Sequence, residues 1–174
     1  MRQINDLNEK YSKKVIIIHW LTAILIIFLF PMGKYMSGIE PTDKMTLIQV
    51  HAILGNIVFL ATIIRSILFF KNKRPEDLKT GSKLNDRLTI LIHNAFYFLL
   101  LGIGLSGIAI MITGGYGDAL INNSPELIKN KTEIFSLKSH NILATIMMIL
   151  LLLHIIGVIK HYFLTKENTL KRIS

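Results

Sequence analysis

The chain holds six histidines and no cysteine. Two of them, His140 and His154, stand fourteen residues apart in the apolar stretch 139–166. At about 100° per residue this spacing returns to within roughly 40° of one helix face. At about 1.5 Å per residue the two imidazoles lie roughly 21 Å apart along the axis. Between them only Asn141 and Thr145 are polar. Imidazole is an axial ligand of haem iron, so a helix with two imidazoles on one stripe can serve two stacked haems. The absence of cysteine excludes disulfides, iron–sulfur clusters and covalent C-x-x-C-H attachment, so any haem is held non-covalently.

Such a stripe needs a frame of membrane helices. The chain has 174 residues, of which 51% are hydrophobic and 18% charged, against about 25% charged in a soluble domain. Mean hydropathy is +0.49. Apolar runs at about 15–32, 47–70, 88–113 and 140–164 reach or approach the roughly 20 residues that span a bilayer. The expected fold is all-α, an integral membrane four-helix bundle, with residues 1–174 as one domain. The first run has no small-residue cleavage site after it and carries His19-Trp20 near its start, so it reads as a span and not a signal peptide. Pro31 and Gly33 are expected to end the first helix, and Gly114-Gly115 the third. The stretch from there to about Lys138 is expected to cap the external side.

The net charge of +9 follows topology and does not call for nucleic acid. Fourteen of the twenty cations fall in the N-terminal segment, the second loop and the C-terminal tail. Five, namely Lys34, Lys44, Lys129, Lys131 and Lys138, fall in the first and third loops, and Arg65 lies inside a span. Both termini are therefore expected to be cytoplasmic.

Depth then sorts the histidines. His51 and His140 begin helices that enter from outside, and His19 and His154 lie near the cytoplasmic level. The natural pairs are His51 with His140 and His19 with His154, each a bis-imidazole set of the kind a six-coordinate electron-transfer haem requires. His93 and His161 also fall on the cytoplasmic side and leave the second pair less constrained. His93, with Tyr97 one turn later, reads as a hydrogen-bonding group. His161 reads as a partner for a haem propionate or a quinone carbonyl, or as an interfacial histidine. Gly55, four residues after His51, removes bulk on the imidazole's face. Arg65 is fourteen residues beyond His51, where a charge marks function or snorkels to the headgroups. Met147 lies halfway between His140 and His154.

These residues together resemble the bacterial four-helix cytochrome b561 family, including its di-haem superoxide:ubiquinone oxidoreductase type. The matching pieces are Tyr11-Ser12 with Ile18-His19-Trp20, Ile48 to His51, Arg65, and His93 with Tyr97. Further on they are Ser136-Leu137-Lys138-Ser139 before His140, Leu153-His154, His161-Tyr162-Phe163, and Asn168-Thr169-Leu170 with Arg172. The resemblance implies two haem b groups, with His19, His51, His140 and His154 as the iron ligands. Ser139 departs from it, since an aromatic residue is expected before the external ligand.

The resemblance implies an enzyme of the bacterial inner membrane. Superoxide would give an electron on the external side, and ubiquinone would receive it on the cytoplasmic side. Lys138, next to His140, is the residue expected to concentrate the superoxide anion. Arg65 and His161 are expected to meet a propionate or the quinone. Related b-type subunits of hydrogenases and other dehydrogenases share the fold, so a relay between a partner dehydrogenase and the quinone pool is the alternative. A histidine-based metal-ion transporter is a third reading. The intramembrane acidic groups that a divalent cation path favours are missing from the spans.

Overall fold

The computed structural model describes residue 6 and residues 8–71, 75–77 and 79–174. Regular structure among them is entirely helical. Helices α1 (Lys13–Ser37), α2 (Met45–Lys71), α3 (Lys83–Thr113), α4 (Tyr116–Asn122) and α5 (Phe135–Thr165) alternate with short 3-10 turns. These turns are Pro41–Lys44, Pro125–Leu127, Lys131–Glu133 and Thr169–Ile173. All but α4 are long and apolar enough to cross a membrane. The shortest of the four, α1, has 25 residues, about 37 Å of helix against a hydrocarbon core of about 30 Å. Arg2, Lys73 and Arg74, which enter the charge split, lie outside the described residues.

Each expected span is present and longer than its apolar run. α1 passes through Pro31 and Gly33 and ends only at Ser37, which corrects the expected end. Pro31 forfeits one backbone bond, a loss that membrane helices tolerate because neighbouring groups re-satisfy the freed carbonyl. α3 begins at Lys83 and not near residue 88, because its polar first turn is anchored. The Thr80 backbone N–H and hydroxyl both donate to Asp86 Oδ1, at 2.6 and 2.7 Å, and a carboxylate suits a helix N-terminus. α5 begins at Phe135, which puts Lys138 and Ser139 inside its first turns.

α1 packs on α2, α2 on α3, and α3 on α5. Leu29, Val58, Leu100 and Met147 make a buried cluster at mid-bundle, one residue from each long helix. Gly104 lets α3 close on α2, since a Cβ there would overlap the Phe59 ring. Outward residues are large and apolar, Phe98 for instance being 78% exposed, as expected of helices solvated by lipid.

One end of the bundle is capped by α4 and the segment after it. Ile48, Ile110, Tyr116 and Ile134 form the cluster that seats this cap. Gly115 turns the chain from α3 into α4 with φ +76°, and a Cβ there would overlap the Leu127 carbonyl oxygen. Burial pushes the Tyr116 phenol above its usual pKa, so it stays neutral under the cap.

The other end gathers both termini. The Tyr11 amide donates to the Arg172 carbonyl at 3.0 Å. Trp20 Nε1 donates to the Ile173 carbonyl at 2.8 Å, so this indole anchors the tail. Arg172 is buried and donates to the carbonyls of Glu9 and Glu76 at 3.2 and 2.6 Å. The tail thus fastens the N-terminal segment and the α2–α3 connection to one another.

Candidate functional site

At the cap end, α2 and α5 bring His51 and His140 face to face. Their ring centres are 6.2 Å apart with planes inclined by 66°. His140 Nδ1 lies 3.0 Å from the Ile103 carbonyl and 3.0 Å from Ser106 Oγ, both on α3. With its Nδ1–H donated to that carbonyl, the ring keeps a lone pair on Nε2, the arrangement usual for a metal-binding histidine. His51 Nδ1 is buried with no hydrogen-bond partner among the described residues.

Each imidazole rests against a glycine of a neighbouring helix. A Cβ at Gly33 of α1 would stand 3.4 Å from His51 Cε1, and one at Gly107 of α3 would stand 3.5 Å from His140 Cε1. These two glycines were not legible as partners of the histidines, because the pairing is made between helices. Gly55 lines the adjoining cavity, with nothing within 4 Å of where its Cβ would be.

That cavity measures about 600 Å³. Both imidazoles line it, with Met147 from mid-bundle and the lysines 34, 44, 131 and 138. Among the described residues no carboxylate lines it. Two imidazole nitrogens bound on opposite sides of one metal ion, at about 2.0–2.1 Å each, stand about 4 Å apart with their ring centres further out. The observed separation suits that arrangement. The orphaned ring nitrogen, the glycine-lined walls and the apolar cavity fit a haem held between His51 and His140.

At the termini end a second cluster forms. The His154 ring lies 5.2 Å from the His93 ring and 5.5 Å from the Phe96 ring, both edge-on. His19, Arg65, His93 and His154 are close enough for their charges to interact. The Arg65 guanidinium sits 5.5 Å from the centre of the Tyr97 ring, and Nε is buried without a partner among the described residues. Tyr97 therefore faces Arg65, while His93 faces His154. His19 joins this cluster with its own ring against Trp20 at 5.5 Å.

His161 stands apart, with Nε2 3.3 Å from Glu167 Oε2 and both side chains nearly buried. Glu167 was not singled out in the sequence. It reaches His161 because Lys166 adopts φ +61° and turns the chain back at the end of α5.

Two stacked histidine clusters in a bundle of four long apolar helices suit a b-type cytochrome. The family model for prokaryotic cytochrome b561 matches residues 10–174, and the chain belongs to that family. Over 171 residues it is 26% identical to cytochrome b561 homolog 2 of Escherichia coli (strain K12), covering 95% of this chain and 91% of that protein. It is 24% identical to cytochrome b561 homolog 1 of the same organism, covering 95% of this chain and 97% of the relative. It is thus a bacterial membrane protein of electron transfer, in a family that binds haem b.

Proposed function

We propose that the whole chain, residues 1–174, is one di-haem unit that carries electrons from superoxide to ubiquinone across the bacterial inner membrane. The observation that carries this reading is the His51–His140 pair opening on a cavity lined by four lysines and no acid. Haem b supplies one-electron transfer when bound. His51 and His140 hold it at the cap end, and His19 and His154 at the termini end. Ser106 and the Ile103 carbonyl orient His140. Arg65, with its unpaired Nε in an apolar setting, offers a cation to a propionate at the termini end. His161, its ring fixed by Glu167, lies at the quinone site.

Lys138 is exposed and lines the cavity next to His140. A fixed cation at the mouth raises the local concentration of a small anion. Lys138→Glu is expected to slow reduction by superoxide several-fold at low ionic strength, with both haems retained. The gap should close towards 0.1 M salt and above, where the Debye length falls to about 10 Å. Stopped-flow traces at several salt concentrations measure it, and equal rates at low salt would remove the steering role. If superoxide reduces neither haem in the wild type, the relay from a partner dehydrogenase becomes the better reading.

The cation split supports a cytoplasmic location for both termini. A phosphatase reporter that works only outside, fused after Ser174, is expected to be silent; an active fusion would invert the orientation.

A further inference from the structure

We propose that Lys44 and Lys131 together form a carboxylate-binding site at the cap-end mouth of the cavity. This rests on the haem reading of that cavity and adds a named anchor to it.

Lys44 is 3% exposed, although it lies in a polar turn between α1 and α2. Its ammonium donates to the carbonyls of Met36 and Ile39, both at 2.9 Å. Lys131, from the segment between α4 and α5, donates to the Ser37 carbonyl at 3.1 Å. The carbonyls they take, of Met36, Ser37 and Ile39, lie within four residues at one helix end, so the two ammonium groups adjoin. Among the described residues neither has a carboxylate within salt-bridge distance.

Capping of α1 accounts for part of this arrangement. A helix C-terminus carries about half a negative charge, which offsets less than one of the two ammonium groups. An ammonium has three donors. Lys44 uses two on carbonyls and Lys131 one, so the pair keeps N–H donors that the protein's oxygens do not take. Glu40, the acid that acts on Lys44 from nearby, is exposed to solvent and does not line the cavity. Two adjoining lysines with donors to spare, one of them buried, on a cavity wall whose described residues include no acid, suit an anion.

The ligand chemistry is a carboxylate. It arrives either as a propionate of the haem in this cavity or as a free carboxylate from solution. The test uses the full-length protein and the variant Lys131→Met. Lys131 is exposed, so this variant spares the buried cap that Lys44→Met would open. Haem content of the wild type is measured first. No haem in the wild type would sink the parent reading, whatever the variant does.

Spectroelectrochemical titration then compares wild type and variant, each reconstituted with haem and with haem dimethyl ester. A propionate anchor predicts that Lys131→Met lowers the reduced-to-oxidised ratio of the cap-end haem on the order of tenfold at a fixed poise. It also predicts faster haem loss, an effect absent in the ester-loaded protein, which has no propionate carboxylate to anchor. A free-carboxylate site predicts instead that acetate, titrated at constant ionic strength, shifts the wild-type ratio saturably and leaves the variant unmoved. If Lys131→Met matches wild type in haem retention and in its response to ester and acetate, the site does not exist.

Discussion

Replacing His140 with alanine is expected to halve the haem content, from two per chain to one. The second turn of α5 carries His140 into the bundle. Its ring is fixed by the Ile103 carbonyl and Ser106 on α3 and backed by Gly107. The opposing ring of His51 stands 6.2 Å away. Alanine would remove one of the two imidazoles proposed to hold the haem and open further space beside a cavity of about 600 Å³. With a single imidazole left, the cap-end haem is expected to be lost. His51→Ala should do the same. Neither should disturb the other haem, because the Leu29, Val58, Leu100 and Met147 cluster lies between the two levels. Ser106→Ala should loosen binding by about tenfold or somewhat more, the usual cost of losing a partner that orients a ligand histidine. Pyridine haemochrome stoichiometry measures the content, and two full haems in His140→Ala would refute the cap-end ligand set.

The cap-end pair was legible in the sequence because two simple periodicities coincide there. Apolar length placed α2 and α5 across the membrane, and chain direction put His51 and His140 at the same depth. Helix ends were less legible. Pro31 and Gly33 look like terminators by local propensity, yet α1 continues because packing and lipid override propensity there. Contacts made between helices left no mark. Gly33 against His51, Gly104 against Phe59 and Gly107 against His140 are pairings across helices, which a one-dimensional pattern does not encode. Glu167 and Lys44 were hidden for a related reason. Both lie in polar turns that read as solvated, and both are buried because the chain folds back, at Lys166 for the one and over the end of α1 for the other.

At the termini end, His154→Ala is expected to remove the second haem, and the partner ligand is decided by comparing His19→Ala with His93→Ala. Depth and the family pattern assign the partner to His19, on α1. The ring lying against His154 is that of His93, on α3, at 5.2 Å. Two rings edge-on at that distance are closer than the 6.2 Å of the cap-end pair, which leaves less room for an ion bound between them. His19 approaches from another helix, within electrostatic reach of His154 and Arg65. A haem held by His19 and His154 would have His93, Phe96 and Arg65 as neighbours, since all three lie near His154. His19→Ala should therefore halve the haem content, as His154→Ala is expected to do. His93→Ala should keep two haems and alter the potential or the line shape of one. Low-temperature optical and electron paramagnetic resonance spectra of the three variants distinguish these outcomes. Loss of a haem in His93→Ala, with both retained in His19→Ala, would reassign the ligand to α3.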